Sequence, residues 1–312
     1  MLRELKPGDT ARFLVLLKNN FPEEEALMGT RPEGVTRIVR RVFRWDTRLF
    51  LGLLRLLGQS FFRFYVIEAD HEIVATTLLS FSAKSGYVSM VVVDPARRRQ
   101  GLARRLLEQA RVATVRRGRR FIALDVLEAN APARTLYESL GYRTLRAKAM
   151  FAHESPDAFA PLPTPPPGVR AFRRQDAPAL VELARKAAPP RVNEVLPLQA
   201  REIASSEWAN RLMLSQSAAW VVDRGHGPEA YVGATTSPLT EAANLSSPII
   251  GETVDPETAV ALIRTAAGWL APRKPTRILS VVTEDNTRGR AVLEAAGFRS
   301  ALPLLTLYRE SA

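Results

Sequence analysis

The strongest constraint on this chain is that it is written twice. Asn130 precedes Gly141-Tyr142 by eleven residues, and Asn286 precedes Gly297-Phe298 by the same eleven. Val93-Asp94-Pro95 returns as Val254-Asp255-Pro256, and Leu2-Arg3 with Asp9 returns as Val169-Arg170 with Asp176. Self-similarity of this kind marks tandem copies of one unit, and 312 residues suit two domains of about 150 each. Between the copies runs PDAFAPLPTPPPG, whose consecutive prolines favour extended backbone without internal hydrogen bonds. The expected organisation is a domain at 1–155, a proline-rich linker at 156–167 and a second domain at 168–312.

Within the first copy, apolar runs rich in β-branched residues predict strands near 2–5, 61–69, 72–82, 87–93, 121–127 and 143–152. Helices are expected within 8–58, at 101–117, where Leu102, Leu106, Leu107 and Ala110 recur at helical spacing, and at 131–139. Interleaved helices and strands make the fold class α/β.

The richest local feature is Val91-Val92-Val93-Asp94-Pro95-Ala96-Arg97-Arg98-Arg99-Gln100-Gly101-Leu102-Ala103-Arg104, a strand that feeds an arginine and glycine loop opening a basic helix. The first backbone N–H groups of a helix have no partners within it, and the helix dipole adds positive charge there, so such a junction accepts an anion. Gly101 and Ala103 let a pyrophosphate approach the backbone, and Arg98, Arg99 and Arg104 supply charge-assisted donors. Neither the P-loop pattern nor the three-glycine dinucleotide pattern is present.

These residues carry a resemblance. Arg98-Arg99-Gln100-Gly101-Leu102-Ala103 resembles the R/Q-x-x-G-x-G/A acyl-CoA pyrophosphate loop of the GNAT superfamily of N-acetyltransferases. The segment Ile122 to Val126, followed by Asn130, Ala133, Leu136-Tyr137-Glu138 and Gly141-Tyr142, is similar to the strand-then-helix half of the same fold. The resemblance implies two tandem GNAT-like domains, each a mixed, mostly antiparallel sheet flanked by helices, with acetyl-CoA as co-substrate. It implies that backbone groups of Val91, Val92 and Val93 meet the pantetheine arm, and that Arg98, Arg99, Gln100, Gly101, Leu102, Ala103 and Arg104 meet the pyrophosphate. Asn130 caps a helix and touches the cofactor. Tyr137 matches the tyrosine that protonates the leaving thiolate, with a core tyrosine as the plainer reading. Asp125 matches a strand acid that acts as general base, usually a glutamate, and pairing with a nearby arginine is the equal alternative. In the second copy Glu257-Thr258-Ala259-Val260 replaces the loop, Leu293 stands where Tyr137 stands and Val281 where Asp125 stands, so that copy is expected to be degenerate.

Composition removes other chemistries. There is no cysteine, and His71, His153 and His226 are scattered, which disfavours disulfides, thiolate catalysis and a metal site. No apolar run approaches the ~18 residues of a membrane span and no leader pattern opens the chain, so a cytoplasmic protein is expected. The net charge of +12 sits in the first half, where residues 1–155 hold 27 Lys/Arg against 16 Asp/Glu. Ten arginines and one acid, Glu108, lie between Arg97 and Arg120. The plain reading is a solvated helix face. Nucleic acid is disfavoured because that stretch lacks interleaved aromatics. Residues 37–58 combine arginines with a wide apolar face, and packing within the domain, an acceptor pocket and weak membrane-surface contact all remain open for them.

The function expected is acetyl transfer to a primary amine, whether a protein N-terminus, a lysine or a small molecule, by direct attack on the thioester. A homodimer is compatible with this. The alternative is a non-catalytic acyl-CoA sensor whose basic face engages a partner.

Overall fold

The computed structural model describes residues 1–18, 29, 62–161, 164–203, 214–238 and 240–312. The segment at 37–58, and the helices expected between 19 and 58, lie outside the described residues.

The first copy contains β1 (Leu2–Glu4), α1 (Thr10–Lys18), β2 (Phe62–Ala69), β3 (Glu72–Phe81), β4 (Ser85–Val93), α2 (Leu102–Arg116), β5 (Phe121–Leu127), α3 (Ala131–Ser139) and β6 (Arg143–His153). The second contains β7 (Val169–Ala171), α4 (Ala177–Ala187), α5 (Pro190–Val195), α6 (Ala200–Ile203), β8 (Gln216–Asp223), β9 (Pro228–Thr236), β10 (Ala243–Leu245), β11 (Ile249–Ile250), α7 (Pro256–Leu270), β12 (Ile278–Thr283), α8 (Thr287–Ala295) and β13 (Arg299–Glu310). The fold is α/β, with a mostly antiparallel sheet flanked by helices.

The two sheets that a tandem repeat leads one to expect are joined into one. Strand order is β1-β2-β3-β4-β5-β13-β6-β12-β10-β9-β8-β7, with β11 beside β9. The last strand of each copy crosses to the other. β13 lies between β5 and β6, and β6 lies between β13 and β12. Thr306 of β13 faces Asp125 on one side and Arg146 on the other. Among the described strands, β4–β5 and β10–β12 pair in parallel.

On one face of the first copy, Leu102, Leu106, Leu107 and Ala110 of α2 pack with Ile122, Leu124 and Val126 of β5. Gly86 permits the approach, since a Cβ there would stand 2.2 Å from Thr114 Oγ1. On the opposite face Phe13 and Leu16 of α1 pack with Val66, Ile73 and Val92. In the second copy α7 covers one face and α4 the other. The start of the proline-rich stretch does not stand extended in solvent. Pro156–Ala158 forms a turn and Phe159 is buried, its ring 4.5 Å from that of His153 and 6.1 Å from that of Phe298.

The repeated Arg/Asp pair has a physical purpose. Arg3 binds both Asp9 oxygens at 2.6 and 2.9 Å and also holds Glu68 of β2 at 2.6 Å. Arg170 binds both Asp176 oxygens at 2.8 and 2.9 Å and holds Asp223 of β8 at 2.6 Å. Each carboxylate also accepts a backbone N–H, from Lys6 and Arg173 respectively, at 2.7 Å. Each copy thus ties its first strand to the next strand and to its first helix by one bidentate arginine.

The hydrogen bonds from Arg3 hold the buried Asp9 carboxyl down at about 2, against an ordinary value of 3.8. A depressed carboxylate stabilises the fold above its unfolded value and ceases to do so as pH falls through its folded value. Asp9→Asn is therefore expected to cost about 2–3 kcal/mol at pH 7, measured by urea unfolding. The gap from wild type should close between pH 4 and pH 2.

Candidate active site

The loop before α2 is built by its own caps. Asp94 accepts the Ala96 amide at 2.8 Å and fixes the turn that follows β4. Arg97 swings away to Asp70, 2.6 Å distant. Arg99 and Gly101 then adopt left-handed backbone, with φ of 63° and 74°, which brings the chain into the helix. Gly101 is the N-cap of α2 and has no side chain to satisfy the first amides. Arg98, Arg99, Gln100 and Gly101 are exposed, while Leu102 is buried and anchors the turn. Ala103 is half-buried, and Arg104 reaches Ser139 of α3 at 2.8 Å. The equivalent start in the second copy is filled from within. α7 begins at Pro256, and Asp255 accepts the Thr258 amide at 2.9 Å and pairs with Arg224. A carboxylate of the chain occupies the place where the first copy offers open amides.

Beside this loop, β4 and β5 part. Their parallel pairing runs from Ser85–Phe121 to Val88–Leu124 and stops there. A bulge at Met90, with φ of 56°, inserts one residue opposite β3 between Ser89 and Val92. The extra residue resets the alternation, so Val91 and Val93 pack on the α2 side while Val92 faces α1. Backbone groups of β4 on its β5 side thus lie in a gap rather than in a ladder, immediately before the loop.

α3 closes the α2 side. Asn130 accepts the Ala133 amide at 3.2 Å and caps the helix. Tyr137 is 6% exposed, lies in the same apolar cluster as Val91 and Val93, and has its ring 5.9 Å from that of Tyr142. Burial pushes its phenol up to about 12.

On the opposite face lies a polar cluster drawn from four strands. Asp125 is ion-paired with Lys148 of β6 and accepts from Thr306 of β13 at 2.8 Å. Tyr87 of β4 lies close to the same carboxylate. Its hydroxyl is held well above the ordinary phenol range, first by burial and then by the charge of Asp125. Burial pushes the Lys148 ammonium below its usual value despite the neighbouring carboxylate. Arg146 stands 4.0 Å from Asp285 of the second copy. Further along this face, a cleft of about 270 Å³ is lined by Ser80, Ser82 and Tyr87 from the first copy and by Leu196, Pro197 and Glu202 from the second. The Ser85 hydroxyl donates to the Val195 carbonyl beside it.

Residues 60–144 match the model of the acetyltransferase (GNAT) domain family. The match falls within the first copy and covers the loop before α2 together with β2 to β5 and α3. No curated protein sequence matches the chain, but solved structures share its fold over its whole length. A tandem GNAT protein from the clavulanic acid biosynthesis pathway has a TM-score of 0.66 at 16% identity, covering 100% of this chain and 98% of its own. A GCN5-related N-acetyltransferase from Sphaerobacter thermophilus has a TM-score of 0.65 at 16% identity, covering 100% and 95%. A putative acetyltransferase from Pyrococcus horikoshii has a TM-score of 0.59 at 14% identity, covering 100% and 89%.

The GNAT domain brings the loop residues 98–104 and Val91 to Val93 to one end of β4, with Tyr137 in the apolar cluster beneath them. Asp125 and Tyr137 lie on opposite faces of the sheet, next to the point where the β4–β5 pairing ends. Tyr87, Lys148 and Thr306 carry no motif and were not expected at the site. The alternation of β4 gives a signal for Tyr87, whereas Thr306 stands 181 residues from Asp125 and its arrival depends on the strand exchange. No group of three His, Asp or Glu side chains able to hold a metal occurs among the described residues, and no helix there is long and apolar enough to cross a membrane.

Asp125 and Lys148 form a largely buried pair, so removing one partner leaves the other stranded. Asp125→Asn is expected to lower stability by about 3–5 kcal/mol, and Asp125→Asn with Lys148→Met should recover most of that loss. Chemical denaturation of the two variants, with Lys148→Met alone as the third corner, measures the coupling.

Proposed function

We propose that this chain is an acetyl-CoA-dependent N-acetyltransferase, with the first copy, residues 1–155, as the active domain and residues 168–312 as a degenerate copy that walls the acceptor side. The observation that carries this reading is the uncapped, arginine-flanked start of α2 beside the point where β4 and β5 part, within the residues that match the GNAT domain. The residues present fit the co-substrate. Open amides of Gly101, Leu102, Ala103 and Arg104, with the guanidinium groups of Arg98 and Arg99 and the amide of Gln100, suit a pyrophosphate. The unpaired edge of Val91, Val92 and Val93 suits an amide-bearing arm, and Asn130 borders the same gap.

Acetyl-CoA supplies an activated thioester carbonyl. The acceptor is a primary amine that must lose one proton before it attacks and a second from nitrogen as the amide forms; one of the two ends on the departing sulfur, so each turnover of a protonated amine releases one proton to solvent. Asp125, paired with Lys148, takes the amine proton through a water. Because burial disfavours the Lys148 charge, the pair can pass that proton on. Tyr137 serves the other end. With its phenol at about 12, it stays protonated throughout the physiological range and presents an O–H to the sulfur. A free thiol ionises near 8.5, so full transfer from Tyr137 is uphill and its contribution lies in a well-aimed hydrogen bond. The cleft between Tyr87 and Leu196 supports an acceptor site shared by both copies.

Calorimetric titration of acetyl-CoA into wild type and Arg99→Glu/Gly101→Glu, followed by thiol release over a panel of amines and peptides, tests the reading. Expected are saturable binding in wild type, at least hundredfold weaker binding in the variant, and thiol release that depends on the amine. Binding without turnover on any acceptor would support the sensor reading instead. Tyr137→Phe should lower kcat by about 10- to 100-fold with acetyl-CoA affinity unchanged. The wild-type rate should climb with pH as the amine deprotonates and show no loss from Tyr137 below about pH 11, a profile that steady-state kinetics will read directly.

A further inference from the structure

A sizeable cavity lies away from the acyl-CoA loop. It measures about 650 Å³ and is bounded by β1, β2 and the C-terminal end of α2. Five arginines line it, Arg3, Arg63, Arg116, Arg117 and Arg119, against one carboxylate, Glu4. The fifteen residues of α2, at 1.5 Å each, put roughly 20 Å between this end of the helix and the loop at Gly101.

Several of these charges are held in place by the protein. Arg63 is fixed by Glu4 at 3.1 Å. Arg119 donates to the Ala83 carbonyl at 2.6 Å. Arg117 lies 4.5 Å over the ring of Phe81. Arg3 is locked by Asp9 and Glu68. Each anchor between Arg63 and Glu4, or between Arg119 and Ala83, uses one of the five donors that a guanidinium offers. The end of α2 is also the negative end of its dipole, and helix stability alone is served by one cation there. Three arginines on the last turn and just past it, meeting a fourth from β2 across a cavity, exceed that need.

We propose that this cavity is a second anion site, taking a small molecule that bears two or more phosphate groups. Volume and shape favour a small ligand, since pockets for such compounds span about 300–1,000 Å³. Multiple phosphates match the five cationic side chains that line the cavity against one anionic, and planar guanidinium groups bind phosphate oxygens bidentately. Single-stranded nucleic acid is the poorer match, because it stacks on exposed aromatic faces. Here Tyr65 is buried and Phe81 is covered by Arg117. The site does not depend on the acyl-CoA reading.

Calorimetric titration of inorganic tripolyphosphate into the full chain, first alone and then saturated with acetyl-CoA, tests it. Expected is one-to-one binding that survives saturation, weakens at least tenfold in Arg63→Gln/Arg119→Gln and in the surface variant Arg116→Glu, and changes less than twofold in Arg99→Glu/Gly101→Glu. Circular dichroism of the variants identifies any loss that comes from misfolding, and Arg116→Glu, on an exposed position, then decides. Absence of saturable binding in wild type overturns the proposal. So does binding that vanishes with Arg99→Glu/Gly101→Glu while Arg116→Glu retains it, or a 20-nucleotide single strand that binds tenfold more tightly than tripolyphosphate through the same arginines.

Discussion

Everything central in this molecule hangs on the exchange of two strands. A sheet edge exposes a row of unpaired amides and carbonyls that must find partners. β5 of the first copy and β12 of the second would each end in such an edge, and each is covered by the last strand of the other copy. The backbone hydrogen bonds that close one copy are therefore supplied by its twin. This ladder also aligns Asp125, Thr306 and Arg146 in a single row across three strands, so that the seam between copies and the polar cluster are one structure. A substitution that loosens β13 acts on the Asp125 cluster as directly as one in β5.

The two copies share their mechanics and differ at the start of the long helix. Both retain the arginine staple on the first strand, and both cap the helix after the fifth-strand equivalent with an asparagine, Asn130 in one and Asn286 in the other. These are structural debts that any copy must settle, because helix ends and buried carboxylates need partners whatever the protein does. What differs is the start of the long helix. A glycine leaves its amides open in the first copy, and an aspartate closes them in the second. The same positive end of a helix dipole is thus left open at Gly101 and is closed by the chain's own carboxylate at Asp255.

Much of this was legible in the sequence because it is local. Helix spacing of Leu102, Leu106, Leu107 and Ala110, alternation in the strands and the cap residue Asn130 all act within a few residues, where the physics depends on near neighbours. The repeat itself foretold the layout of the second copy. Contacts of long sequence separation could not be read the same way. Nothing near Thr306 distinguishes it from any strand threonine, and Asp125 gives no sign that its cation is Lys148 rather than an arginine. Two similar last strands are compatible with closing their own sheets or each other's, since alternation is the same in either arrangement. At the start of the proline-rich stretch, burial of Phe159 draws the chain through a turn at Pro156–Ala158, a contact that composition does not encode.

The exchange also sets a schedule for synthesis. During translation β5 is complete long before β13 has been made, and the partner of Asp125 in that row is 181 residues downstream. At 5–20 residues per second the interval is on the order of 10 to 40 s. Throughout it the nascent first copy carries an open strand edge and a carboxylate lacking its threonine. Its maturation on the ribosome is thereby tied to the arrival of the final dozen residues of the chain. A premature stop anywhere in the second copy would leave behind an incomplete and adhesive first copy, instead of a smaller working enzyme.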